Sequence, residues 1–207
     1  MKKILNQKLA KILLIILMIT LIITYLIIII KNNYKNLKTG NNTNTEIINN
    51  ILNINSYKAN VLIIITSNKN KNEYKITQEV IGESYNKQET EEPEEIKGMQ
   101  ITYDNGTVEI KNTQLSLSKI YENYPDIQNN DLFLTTFINE YKKCKSSKVE
   151  ETKEEITMTI NNQKNKYSNQ KLLKIDRQTQ NPKELIIYDN NKQEKIDILY
   201  SEIELNI

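Results

Sequence analysis

Residues 12–30 form an unbroken run of 19 residues without a charge, and 15 of them are Ile or Leu. At a 1.5 Å rise per residue, a helix of this length spans about 28 Å, close to the ~30 Å hydrocarbon core of a bilayer. On the translocon scale the Ile and Leu side chains together favour insertion by about 5 to 9 kcal/mol, which Thr20, Thr24 and Tyr25 cannot offset. A cleaved signal peptide has a shorter apolar region ending in small residues. Here the run ends Leu26-Ile27-Ile28-Ile29-Ile30-Lys31, with no Ala-x-Ala pattern and no nearby cysteine for a lipid. We therefore read it as an uncleaved transmembrane anchor, marked along its length by Ile12, Leu17, Leu21, Leu26 and Ile30. Lys2, Lys3, Lys8 and Lys11 precede it, and Lys31, Lys35 and Lys38 follow. A short basic N-terminus before a first hydrophobic segment stays inside, so the expectation is a single-pass protein of the cell membrane with its C-terminal domain extracytoplasmic.

This divides the chain into a cytoplasmic segment 1–11, an anchor 12–30, a polar Asn-, Thr- and Lys-rich linker 31–44 and an outer domain 45–207. The 177 residues after the anchor suit one domain better than two. A domain of that size buries enough surface to need no disulfide, and Cys144 is the sole cysteine. The four lysines before the anchor account for more than the net charge of +2, which leaves the rest mildly acidic. Nucleic acid, which calls for a clustered basic face, is not an expected partner.

The chain contains no histidine. That removes Ser-His-Asp and Cys-His catalysis, the usual general base near neutral pH and nearly all zinc sites. The expectation is a protein that is not an enzyme and carries no metal or other cofactor.

Beyond the linker, Ile47, Ile48, Ile51 and Leu52 recur at helical spacing after Thr45-Glu46. From Ser56 the period changes to two, with Tyr57, Ala59, Val61, Ile63 and Ile65 on one parity. A polar turn over 67–72 and a returning strand through Tyr74, Ile76 and Ile81 make a hairpin. Residues 85–95, acidic around Pro93, read as an edge strand and loop. The sequence Asp104-Asn105-Gly106-Thr107 predicts a tight hairpin turn, because Asn-Gly tolerates positive φ at both central positions. The spacing of Phe133, Phe137 and Tyr141 predicts a long helix over 126–145, capped by Asn130 or Asp131 and ending on Lys142, Lys143 and Lys145. Strands follow around Ile156, Met158 and Ile160, and over 167–176, 184–188 and 196–205. A bulge near Ser201-Glu202 reconciles the two parities of the last one. Nine or ten strands in hairpin order with one long and one short helix indicate an α+β domain, a large curved antiparallel sheet closed by the helices.

Several strings carry a resemblance in their order. They are Gly98-Met99-Gln100-Ile101-Thr102-Tyr103-Asp104-Asn105-Gly106, Asn112-Thr113-Gln114-Leu115-Ser116-Leu117, Ile120-Tyr121-Glu122-Asn123-Tyr124 and Asn130-Asp131-Leu132-Phe133-Leu134. Lys171-Leu172-Leu173-Lys174-Ile175-Asp176, Asn181-Pro182-Lys183-Glu184-Leu185 and Ile198-Leu199-Tyr200-Ser201-Glu202-Ile203-Glu204 complete the set. Over 45–207 the chain resembles the GerS-like germination lipoproteins of spore-forming Clostridia, within the LolA/LolB-like lipoprotein-carrier superfamily. The resemblance implies a half-open β-barrel closed by helices and a non-catalytic accessory role. It implies binding of a cell-wall (cortex) amidase in sporulation or germination, at the cell membrane or in the forespore–mother-cell intermembrane space. LolA-like relatives instead hold lipid in an apolar cavity, which makes a lipid or lipoprotein ligand the alternative. The departure is in tethering: the family carries a lipobox cysteine, and here a transmembrane helix takes that place.

Phe133, Phe137, Tyr141, Ile156 and Met158 are the candidate lining of a cavity or of a core. Tyr103, Tyr121 and Tyr124 are the candidate partner surface, since Tyr gives contact area at low entropy cost. Cys144, at the end of the amphipathic helix, reads as a buried small residue.

Overall fold

The computed structural model describes residues 44–123, 130–161 and 167–206. The expected anchor, including Ile12, Leu17, Leu21, Leu26 and Ile30, lies outside the described residues, as does Tyr124. Among the described residues no helix is long and apolar enough to cross a membrane.

Eleven strands form one antiparallel sheet. They are β1 (Ser56–Thr66), β2 (Lys71–Ile81), β3 (Tyr85–Glu92), β4 (Met99–Asp104), β5 (Thr107–Asn112) and β6 (Leu117–Tyr121), then β7 (Lys148–Glu151), β8 (Glu155–Asn161), β9 (Gln170–Asp176), β10 (Pro182–Tyr188) and β11 (Glu194–Asn206). Helix α1 (Asn44–Leu52) precedes them and α2 (Leu134–Lys143) lies between β6 and β7. The spatial order is β6-β5-β4-β3-β2-β1-β11-β10-β9-β8-β7. Two hairpin meanders are thus joined at the middle, where the first strand pairs with the last. The sheet is open, with β6 and β7 at its edges.

Strand alternation decides which face carries the core. Tyr57, Ala59, Val61 and Ile63 of β1 are buried, and so are Ile156, Met158 and Ile160 of β8, Leu173 and Ile175 of β9, Leu185 of β10 and Ile198 of β11. Ile47 and Ile51 of α1 and Leu134, Phe137 and Ile138 of α2 join them in one cluster. This inner face therefore spans β8 to β2, and each helix closes it with one apolar stripe. The other half of the sheet, β3 to β6, contributes none of the residues of that cluster.

Asn105 and Gly106 sit at φ 46° and 89°, so the Asn-Gly pair makes the positive-φ turn between β4 and β5. The register of β1 against β11 shifts between Lys58 and Asn60, opposite Glu202 at φ 50°. The Ser201 hydroxyl donates to the Asn60 carbonyl at 3.0 Å, and the Asn60 amide donates to Glu202 at 2.8 Å, which pins the bulge.

The structure corrects three expectations. Residues 85–92 form an interior strand, paired to β2 and β4, rather than an edge. Its inward positions are Gln88 and Thr90, both buried and polar, so its alternation carries little hydrophobic signal. Helix α2 begins at Leu134 with Phe133 as its cap residue, so the described residues 130–133 precede it and neither Asn130 nor Asp131 caps it; the expected start at 126 lies outside the described residues. Asn130 instead accepts from the Leu132 N–H at 3.0 Å in the turn before the helix. The edge strands β6 and β7 add to the nine or ten expected; both are short and mostly exposed, which weakens any periodic pattern.

Candidate functional site

Most of the expected lining residues are packed solid. Phe133 is 3% exposed, Phe137 1%, and Ile156 and Met158 0%. Tyr141 packs at the margin, with its ring centroid 5.9 Å from that of Phe137. None of the described pockets is lined by any of these five residues.

Two polar devices fix α2 over this face. In the first, the Tyr57 hydroxyl donates to Gln78 Oε1 at 2.8 Å and accepts from the Leu134 N–H at 3.2 Å, while Gln78 Nε2 donates to the Leu132 carbonyl at 3.0 Å. Tyr57 thereby satisfies an N–H at the start of the helix from across the core. Burial pushes its phenol well above the usual range. Tyr57→Phe leaves Gln78 Oε1 and the Leu134 N–H without that partner in a buried site. Urea unfolding is expected to show a loss of about 2 kcal/mol.

In the second, the Lys171 ammonium reaches inward from β9 to Asp131 at 2.7 Å and Glu140 at 2.6 Å. The lysine side chain is 2% exposed and the two carboxylates 29% and 32%. Sequence reasoning missed this residue, although its parity with Leu173 and Ile175 places it on the buried side.

The outer face of the same strands carries a charged row. Lys174 bonds Glu184 across the β9–β10 pair. Asp197 on β11 lies beside it, and burial, then the Glu184 and Glu194 carboxylates, push its carboxyl up to about 6. An aspartate ordinarily titrates near 3.9, so the folded chain holds this proton more tightly than the unfolded one. The ionised form is therefore disfavoured on folding, and stability falls as pH rises from about 4 to about 6. Asp197→Asn is expected to raise stability at pH 7.5 by about 1 kcal/mol, after allowance for solvent reaching the carboxyl, and to change nothing at pH 4. Melting curves at the two pH values test this.

Of the expected partner surface, Tyr103 is 3% exposed on the inner side of β4 and is not part of an exposed surface. Tyr121 is half-buried at the end of β6, with the Lys119 ammonium 4.8 Å from its ring centroid. Three of the six exposed large hydrophobic residues among the described ones are its neighbours. Leu115 is 65% exposed, Leu117 62% and Ile120 60%, all on the β5–β6 hairpin and its edge strand. Cys144 is half-buried rather than buried, and the Ser146 hydroxyl 3.4 Å away lowers its thiol pKa. Among the described residues no group of three Cys, Asp or Glu side chains is placed to hold a metal.

The architecture is an open antiparallel sheet backed on one face by two helices, with a filled core and exposed edges. The chain is similar to the GerS lipoprotein seen in complex with the CwlD amidase from Clostridioides difficile, with a TM-score of 0.51, 22% identity and coverage of 80% of this chain and 97% of that one. The chain belongs to the YdcC-like sporulation proteins, whose family model matches residues 10–207. It is also similar to an uncharacterized conserved protein from Thermus thermophilus (TM-score 0.50, 10% identity, 78% and 86% coverage). A LolA superfamily protein from Nitrosomonas europaea scores lower (TM-score 0.39, 12% identity, 80% and 94% coverage). A search of curated proteins finds no match.

Proposed function

We propose that this sporulation protein is a non-catalytic, membrane-anchored accessory of the cell envelope that docks a cell-wall amidase along the β6 edge of its sheet. The observation that carries the reading is the exposed apolar side chains Leu117 and Ile120, one on each face of the β6 edge strand, with exposed Leu115 in the turn before it. An edge strand offers unpaired backbone groups to a partner, and large apolar side chains beside it supply the area that anchors an interface. The GerS lipoprotein, similar in fold, is known in complex with an amidase. The filled inner face supports docking over carriage of lipid.

The test is affinity chromatography of the full-length protein against the amidase of the same organism. Leu117→Asp with Ile120→Asp is expected to weaken binding at least tenfold, with the melting temperature nearly unchanged because both residues are exposed. Undiminished binding by that variant overturns the β6 surface, and no binding by the unaltered protein overturns the amidase partner. Mass spectrometry of the purified protein separates the alternative: stoichiometric co-purifying lipid would favour a carrier. For the anchor at residues 12–30, the expected result is retention in the membrane after alkaline extraction, with the domain digested by protease added from outside.

A further inference from the structure

At one end of the sheet, two hairpin turns face a third segment across a cleft of about 580 Å³, within the ~300–1,000 Å³ range of small-ligand sites. Its floor is Ile65 of β1 and its cross-strand partner Ile196 of β11. Its walls are Asn68 from the β1–β2 turn, Asn190 and Asn191 from the β10–β11 turn, and Tyr167, which is 72% exposed.

Both turns are held internally, so their side chains are presented on fixed backbone. The Asn70 N–H donates to the Ser67 hydroxyl at 3.0 Å, and the Ser67 N–H to the Asn70 carbonyl at 2.8 Å. Asp189 accepts from the N–H groups of Asn191 and Gln193 at 2.8 and 2.9 Å. The charges of the cleft are already matched, since Lys195 lies 3.5 Å from Asp189 and donates to Gln193 Oε1 at 2.9 Å. The side-chain amides of Asn68, Asn190 and Asn191, by contrast, make no hydrogen bond among the described residues.

The chemistry of this set is selective. An anion would need a cation not already paired, and the cleft's Lys195 is engaged. An acyl chain would cover the Ile65–Ile196 floor but would leave the three side-chain amides of the walls without partners. Each amide offers both donors and an acceptor, which suits a ligand whose groups do both, and an exposed aromatic ring offers a face to C–H surfaces. Hydroxyls and acetamido groups on a puckered ring meet both demands.

We infer that this cleft binds a neutral oligosaccharide, one sugar ring lying on Tyr167 and its polar groups taken up by Asn68, Asn190 and Asn191. The inference is independent of the β6 edge reading, because the two surfaces share no residue. The test is isothermal titration of the full-length protein with chitohexaose as a neutral N-acetylated probe and inorganic phosphate as an anionic one. Chitohexaose is expected to bind with millimolar or better affinity and phosphate not to bind. Tyr167→Ala should weaken chitohexaose about tenfold, Tyr167→Phe should retain it, and Asn190→Ala with Asn191→Ala should weaken it further. All these side chains are exposed, so melting temperatures should hold and amidase binding should not change. No heat from chitohexaose at millimolar concentration, equal affinity in Tyr167→Ala, or binding of phosphate in preference to the sugar each overturns the assignment.

Discussion

Phe137→Ala is expected to destabilise the domain by about 4 kcal/mol, the middle of the range for truncating a buried aromatic. Phe137 is 1% exposed and lies in the one cluster that joins both helices to β8–β11, β1 and β2. Its removal deletes transfer free energy and leaves a void that neighbours on a hydrogen-bonded sheet cannot close. For a domain of this size the melting temperature should drop by roughly 10 °C. Phe137→Leu, which keeps most of the volume, should cost about 1 kcal/mol. Lys142→Ala, on the exposed side of the same helix, should fall within about 0.5 kcal/mol of zero. Denaturant unfolding of the three variants checks the order. A Phe137→Ala cost near that of Lys142→Ala would show that the ring does not belong to the core.

That ring is legible in the sequence because three aromatics at four-residue spacing have no other good explanation than one buried helical stripe. The β1–β2 hairpin, the Asn105-Gly106 turn and the bulge opposite Asn60 are legible for the same reason: local chemistry or parity alone fixes them. What stays hidden has a common cause. Gln78, Gln88, Thr90 and Lys171 point into buried surroundings while being polar, so they erase the pattern that marks a strand's inner side. Strand β3 reads as an edge on that account. Strands β6 and β7 escape notice because edge strands with solvent on both faces have no burial to record. Tyr103 is not available as a partner surface, since a tyrosine's burial depends on which side of β4 the helices and neighbouring strands cover, and the proposed surface uses Leu117 and Ile120 instead. The Tyr167 cleft has no local signal, because its walls come from segments separated by about 100 residues and meet only through the β1–β11 pairing.

Lys171→Ala is expected to cost about 3 kcal/mol, close to Phe137→Ala although no aromatic surface is lost. The ammonium is the shared partner of Asp131, in the turn before α2, and Glu140, within it. Its removal leaves two carboxylates on one side of a helix with neither cation nor full hydration. Lys171→Met strands the same two carboxylates but keeps the packing of the lysine stem, so it should recover only the part of the loss that comes from the void. The carboxylates, each about one-third exposed, can then turn towards water. Because the lysine itself is screened from solvent, raising salt should change the penalty little, unlike that of the exposed Lys75–Glu92 pair. A lipid entering beneath α2 would have to break both contacts, and the Tyr57 bonds with them. Unfolding of Lys171→Ala and Lys171→Met at low and high salt is therefore also a measure of how firmly the inner face is closed. A cost below about 1 kcal/mol for the alanine variant would mean that α2 lifts easily, and would return the advantage to a lipid-carrying role.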